Sequence, residues 1–327
     1  MKVAVVIPSY KVSKHIEGVI AAIGPETSKI YVIDDCCPEN SGKLVQEANL
    51  DPRIEVIFHK TNQGVGGAMI TGYKRALEDN YDIIVKLDGD GQMDPKLIPF
   101  FVEPIEAGVS DYTKGNRFYD IEKVRQMPAM RLIGNSALSF INKIVSGYWS
   151  VMDPTNGYTA IHKTALSLIP LDKLSTRYFF ERDMLFRLGT AKAVVVDVPM
   201  EAKYADEKSN LSIKRVLLEF PPLYISRLIK RIIYSYILRD FNLASIEFFL
   251  GLVLLWFGVI FGASSWYASS ESNVAATTGT VMVASLPIIV GIQLLLSAIG
   301  YDVSNQPSIP LSVKHCGRKF TTPVIKK

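Results

Sequence analysis

The sequence predicts an α/β domain on a mostly parallel sheet, followed by amphipathic helical sequence and a pair of membrane-spanning helices. Three observations predict it. Short apolar runs alternate with helical patterns from residue 3 to about residue 198, as in parallel strands joined by crossover helices and covered on both faces. Carboxylates gather directly after those apolar runs, at the strand ends where such sheets bind ligands. Two stretches near the C-terminus, each about the 20 residues needed to cross a hydrocarbon core, are almost free of charge.

The elements follow in order. Residues 3–7 (Val-Ala-Val-Val-Ile) read as a buried first strand. The run is too short for a signal-peptide core and stops at Pro8, so the domain is expected to begin in the cytoplasm. Residues 30–33, 54–58 and 83–87 give further buried strands, and 14–23, 41–47 and 68–77 give crossover helices. From 211 to 239, Ile225, Leu228, Ile229, Ile232, Ile233, Tyr236 and Ile237 recur at helical spacing, with Arg227, Lys230, Arg231 and Tyr234 on the other face. Such a helix can lie in a membrane interface. Spans are expected at 246–267 and 278–300, with Trp266, Tyr267 and Tyr301 near their ends. The linker 268–277 holds Glu271 but no Lys or Arg, whereas basic residues flank the pair on its outer sides. The positive-inside rule then places both termini in the cytoplasm. The expected organisation is a catalytic domain at 1–210, juxtamembrane helices at 211–240, two spans within 241–303 and a basic cytoplasmic tail at 304–327.

Composition agrees. With 327 residues, 48% of them hydrophobic, the chain can build one soluble domain of roughly 200 residues and a membrane segment besides. A net charge of +4 is too small to indicate nucleic acid. Cys36 and Cys37 are adjacent and Cys316 is distant; neighbours rarely form an ordinary disulfide, and no spacing matches a zinc site. That fits a reducing compartment.

The chemistry concentrates after the strands. Asp88-Gly89-Asp90 follows residues 83–87; two carboxylates one residue apart at a strand end can share a hard divalent cation together with a diphosphate. Asp34-Asp35 follows the second strand, where a carboxylate can accept from a base or ribose, or can serve turn and helix entry. Gly64-Val65-Gly66-Gly67 departs from the dinucleotide fingerprint, whose third glycine would fall on Met69, so a Rossmann dehydrogenase is disfavoured. These glycines instead permit a close backbone approach at a helix N-terminus.

Four motifs, in this order and spacing, resemble glycosyltransferase family 2: Ile7-Pro8-Ser9-Tyr10, Val32-Ile33-Asp34-Asp35, Asn62-Gln63-Gly64 and Leu87-Asp88-Gly89-Asp90-Gly91-Gln92. The resemblance covers about the first 210 residues and is nearest to dolichol-phosphate mannose synthases and bacterial polyprenyl-phosphate sugar transferases. It implies the GT-A fold, an inverting reaction and Mg2+ or Mn2+ held by Asp88, Asp90 and Gln92. It implies a nucleotide-sugar site at Pro8, Tyr10, Asp34, Asp35, Gly66, Asp88, Gly89, Asp90 and Asn156, and an acceptor phosphate site at Arg117, Arg131, Lys208 and Ser209. Glu181 and Asp183 lie where the family places an acidic or amide residue near the site, which makes them, with Asp88 and Asp90, the candidate catalytic residues. The chain lacks the Gln-X-X-Arg-Trp signature of processive synthases, because none of its tryptophans follows an arginine.

The implied activity is transfer of a UDP- or GDP-linked hexose to undecaprenyl or dolichyl phosphate at the cytoplasmic membrane face. The implied partners are a nucleotide sugar, a polyprenyl phosphate lipid and the membrane; nucleic acid is not among them, and a homo-oligomer stays open. Lipid phosphate is already an anionic nucleophile, so a strong base is unnecessary. Two alternatives remain: a transferase of the same fold acting on a glycolipid or saccharide hydroxyl, with Glu181 or Asp183 as base, and a non-catalytic nucleotide-binding membrane scaffold.

Overall fold

The structure, a computed structural model, describes residues 1–119, 129–201 and 213–314, with backbone alone at 129–131, 133 and 213–218. In chain order its main elements are β1 (Val3–Ser9), α1 (Ile16–Ala21), β2 (Thr27–Asp34), α2 (Ser41–Ala48), β3 (Ile54–Phe58), α3 (Val65–Glu78), β4 (Ile83–Lys86) and α4 (Ile98–Glu106). There follow β5 (Tyr112–Asn116), α5 (Ala129–Ser146), β6 (Thr159–His162), α6 (Lys163–Ser167), α7 (Phe180–Ala191) and β7 (Val195–Pro199). The chain continues with α8 (Ile213–Ile232), α9 (Leu243–Ser272), α10 (Thr278–Ser304) and α11 (Leu311–Lys314).

The chain divides into two compact units, Met1–Leu228 with the segment from Pro307 onward, and Ile229–Gln306. The first holds a seven-stranded sheet of order β3-β2-β1-β4-β6-β5-β7. β1 pairs in parallel with β2 and β4, β2 with β3, and β5 with β7; β6 runs antiparallel to both its neighbours. That one reversal matters for the site. The carboxyl ends of β1, β2, β4 and β5 share an edge with the amino end of β6, so residues 153–158 enter the same edge as Asp34 and Asp88.

Alternation along the strands sorts side chains between two core layers. Ala4 and Val6 pack with Tyr31, Ile33 and Ile84 against Met69 and Tyr73 of α3 and Phe180 and Leu185 of α7. Val5 and Ile7 pack with Ile30 and Val85 against Ile16 and Ile20 of α1 and Ile98 and Phe101 of α4. Burial of each such side chain contributes about 1.5–3 kcal/mol, which is why these strands read as continuous apolar runs. Asp94 caps the turn leading into α4 by accepting from the Lys96 amide at 3.1 Å.

The first unit is larger than the expected 1–210. In α8, Phe220 and Tyr224 are buried with Phe179 and Val145, while Ile225 and Ile229 are exposed. The amphipathic pattern is present, but Arg227 faces the domain, paired with Asp183, rather than a membrane surface. The start of the segment after the spans packs on the first unit. Leu311 is buried in the layer of α3 and α7, and the Leu311 and Ser312 amides donate to the Asp111 carboxylate at 2.8 and 3.0 Å.

In the second unit, α9 and α10 are 30 and 27 residues long, and only 22% and 11% of their most apolar windows are buried. They are therefore not the covered core helices of a soluble domain; their length and apolarity suit a membrane hairpin. A side chain at Gly251 would lie 2.9 Å from the Gly291 carbonyl, so the two backbones approach closely there. Asn242 opens α9 with a capping box to Ser245, and α9 runs to Ser272, which shortens the expected linker to five residues, 273–277. A π-helical stretch, Ile233–Leu238, precedes it, and Asp302 accepts from Arg231 and from Tyr236 Oη.

Candidate active site

β4 ends on Lys86, and Leu87 carries the chain to Asp88 at the sheet edge. Lys86 pairs in register with Thr159 of β6, and Thr159 with Lys114 of β5. Directly opposed residues share a sheet face, so two lysines flank one threonine on the face that α3 and α7 cover. Both are fully buried. Lys86 Nζ lies 2.7 Å from Asp88 Oδ1 and 3.5 Å from Glu181 Oε1. Burial draws the Lys86 ammonium toward neutrality, but the charges of Asp88 and Glu181 outweigh it and hold its pKa above the ordinary lysine value. Lys114 donates to the Asn156 carbonyl; burial lowers its pKa to about 8, against opposing pulls from Asp153, Glu181 and Asp197.

Asp88 and Asp90 are partly exposed, as is Gln92, whose amide donates to Asp90 Oδ1 at 2.9 Å. Among the described residues no cluster of three His, Cys, Asp or Glu forms a complete metal cage. Two partly exposed carboxylates with an amide nearby fit a divalent cation that takes its remaining oxygens from substrate phosphates. The donor chemistry therefore suits Mg2+ or Mn2+ as the sequence expected.

Other expected contacts are already engaged within the protein. Asp34 accepts from the Cys37 and Gly42 amides at 2.8 and 2.7 Å. Asp35 accepts from the Gln63 and Gly64 amides at 2.8 and 2.7 Å and meets His59 Nδ1 at 2.8 Å. The pair thus shapes the loops at the ends of β2 and β3, a turn and helix-entry role that is compatible with a nucleotide contact. Gly66 has the Ser175–Thr176 backbone against it, and the Gly67 amide donates to the Thr176 carbonyl at 3.0 Å; the close approach there is by the protein's own chain. Asn156 is buried, with Oδ1 accepting from the Tyr158 amide at 3.0 Å. Pro8 and Tyr10 stand at the end of β1 with Tyr10 exposed, and Gly89 is buried beside Val12 and Ile7.

Nearby, Lys11 adopts a left-handed φ of 59° and its amide donates to Cys37 Sγ at 3.1 Å. Burial pushes the Cys37 thiol up, but hydrogen bonds from Ser41 and from the Lys11, Ser41 and Glu39 backbone outweigh it and hold its pKa below the usual value.

The two acidic candidates of α7 separate. Glu181 is 12% exposed and faces Lys86. Asp183 is fully buried and accepts from the Ser175 amide at 2.9 Å, from Arg187, and from Arg227 Nε at 2.6 Å. Its carboxylate holds α7, the 175 loop and α8 together and is closed to a substrate. Arg117 directs Nε and Nη2 onto Asp153 at 2.7 and 3.1 Å, with Thr155 also on Nη2. Burial pushes the Asp153 carboxyl up, but Arg117 outweighs it and holds it below the ordinary value. Any phosphate contact of Arg117 is therefore oriented by Asp153. The Arg131 side chain, Lys208 and Ser209 lie outside the described residues.

Sequence reasoning passed over Lys86 and Lys114 as functional groups. The available signal was a lysine inside the otherwise apolar run Ile83-Ile84-Val85-Lys86-Leu87, where an unpaired charge would be costly.

Residues 4–169, just over half of the chain, match the profile of glycosyl transferase family 2. The chain belongs to that family. It is 30% identical over 215 residues to the UDP-N-acetylglucosamine–dolichyl-phosphate N-acetylglucosaminyltransferase of Methanococcus voltae, covering 62% of this chain and 85% of that one. It is 32% identical over 208 residues to the undecaprenyl-phosphate mannosyltransferase of Micrococcus luteus, covering 61% and 83%. The fold is similar to glucosyl-3-phosphoglycerate synthase from Mycobacterium tuberculosis solved with UDP, at a TM-score of 0.51 and 18% identity over 70% of this chain and 79% of that one. The same synthase with Mn2+, UDP-glucose and phosphoglyceric acid also gives 0.51. At that identity the likeness concerns the fold, and it agrees with the expected GT-A architecture. The chain is a glycosyltransferase with a mostly parallel GT-A sheet.

Proposed function

We propose that this glycosyltransferase moves a hexose from a nucleotide sugar onto the phosphate of a polyprenyl phosphate, with inversion, at the cytoplasmic face of a membrane. The observation that carries this reading over a hydroxyl acceptor is the state of the two carboxylates on α7. Asp183 is sealed by three partners, and Glu181 is ion-paired to Lys86, so neither stands as an unengaged base. A phosphate monoester needs none. The names of the Methanococcus and Micrococcus relatives point the same way.

In this reading Asp88, Asp90 and Gln92 would hold a divalent cation, which when bound offsets the charge developing on the departing diphosphate. The acceptor phosphate oxygen attacks the anomeric carbon as the bond from that carbon to the nucleoside diphosphate breaks. Tyr10 and the loops shaped by Asp34 and Asp35 cradle the nucleotide. The Asp153-oriented Arg117, with Arg131, Lys208 and Ser209, offsets repulsion between two anionic partners. A groove of about 330 Å³ lined by Phe118, Leu132, Ser139, Phe140, Lys143 and Met152 adjoins Arg117 and Asp153 along the chain and suits the first isoprene units.

Both flanks of the hairpin belong to the catalytic unit, which supports two crossings that return the chain to its starting side. The Lys and Arg distribution supports the cytoplasm as that side. The test is transfer from radiolabelled UDP- and GDP-hexoses into organic-extractable lipid, with polyprenyl phosphate or the free polyprenol added. Label should enter the extract only with the phosphate; equal transfer to the alcohol would favour the hydroxyl reading.

A further inference from the structure

Lys86 is an unusual residue to find at the end of a central strand. It is 1% exposed, and its ammonium is shared between Asp88, 29% exposed, and Glu181, 12% exposed. Burying a lysine is costly unless the charge is paired, and here the two partners come from separate elements, the loop after β4 and the first turn of α7. A second feature is built around the same contact. An added side chain at Gly157 would strike Lys86 Nζ and come within 2.8 Å of Asp88 Oδ2. Gly157 does not have a left-handed φ, so its backbone does not require glycine; a Cβ there would instead displace the tips of Lys86 and Asp88 and meet Met93 Cε at 3.2 Å. The antiparallel β6 brings residue 157 to this edge, and the register sets Lys86 directly across from Thr159.

We infer that Lys86 is a positioning residue for the metal-binding carboxylate of Asp88, and that Gly157 keeps open the room this pair needs. The ammonium occupies one oxygen of Asp88 and fixes the rotamer in which the group meets the cation. It also sets positive charge between two acids, Asp88 and Glu181, at the sheet edge. Through Glu181 it ties the start of α7 to the same carboxylate, so the metal-binding loop and α7 hold one geometry. Partners that orient a metal ligand commonly change metal affinity by about 10- to 100-fold when removed.

This inference rests on Asp88 being a metal ligand, and the test separates the two claims. Binding of Mn2+ alone to the full-length protein in detergent is measured from the free-ion electron paramagnetic resonance signal, for wild type, Lys86→Met, Gly157→Ala and Asp88→Asn. Thermal melting serves as the folding control. Lys86→Met and Gly157→Ala should each weaken Mn2+ binding by about 10-fold or more. In assays, kcat should fall while the KM for lipid phosphate holds, as for a residue that acts through the metal site rather than on the acceptor. Should Lys86→Met fail to fold, Gly157→Ala decides, because it keeps both charges and displaces the side-chain tips that make their contact. Mn2+ affinity within twofold of wild type in the folded variants, alongside its loss in Asp88→Asn, overturns the role of Lys86. Unchanged affinity in Asp88→Asn as well overturns the metal reading on which that role rests.

Discussion

Arg227 Nε donates to Asp183 Oδ1 across 2.6 Å, joining the first turn of α7 to a residue 44 positions later in α8. An acidic residue placed by resemblance near the reacting groups is thus held between two helices as an anchor. Replacing Arg227 by Met leaves Asp183 buried with one fewer cation, which should cost about 3 kcal/mol and lower the melting temperature by several degrees. Asp183→Asn should likewise lose stability, yet keep kcat within about threefold at a temperature where it stays folded. A general base would behave in the opposite way: kcat would collapse and melting would not move.

Lys114 should give stability a pH dependence with a definite sign. Burial holds its pKa near 8 in the folded chain, against 10.5 for an ordinary lysine. Between those values the unfolded chain binds the proton and the folded chain does not, so stability rises with pH across that window. Below about pH 8 the penalty of a buried charge is fully present. In urea unfolding, wild type should gain stability relative to Lys114→Met as pH rises from 8 to 10, by about 2 kcal/mol. A pH-independent difference would contradict the depressed pKa.

The hairpin topology is open to labelling. A cysteine introduced by Ser272→Cys, at the end of α9, should react with a membrane-impermeant thiol reagent in intact cells. The exposed Cys36 of the catalytic unit should react only once the membrane is opened. The reverse order would overturn the cytoplasmic placement of the active site.

Metal dependence should pass through Asp90. Asp90→Asn should lower turnover at least about 100-fold, roughly 3 kcal/mol of transition-state stabilisation, without changing melting. Full activity of that variant, or of wild type in excess EDTA, would contradict the assignment.

The parts legible in the sequence are those whose signals are local. Four strands, their crossover helices and both spans follow from runs of apolar residues, and the Asp88–Asp90 motif follows from its place after a strand. The parts not legible depend on contacts distant in sequence. The reversed β6 strand, which brings residue 157 to the site, gives no local sign of its direction. The amides that Asp34 and Asp35 hold, from the loops carrying Cys37, Gly42, Gln63 and Gly64, are not visible in the motif itself. Leu311 reads as part of a tail, yet its amide reaches Asp111, 200 residues earlier. Arg227 looks like a lipid-facing charge because helical periodicity gives a face without saying what covers it.

The central claim is that the acceptor nucleophile is a lipid phosphate, and the chemical identity of the product tests it most directly. Polyprenyl phosphate, the preferred nucleotide sugar and purified enzyme can be followed by phosphorus NMR together with nucleotide release. The account predicts conversion of the lipid phosphate monoester to a glycosyl phosphodiester, one equivalent for each nucleoside diphosphate released. A monoester that stays unchanged while nucleotide is released and the sugar appears on a hydroxyl group would contradict it.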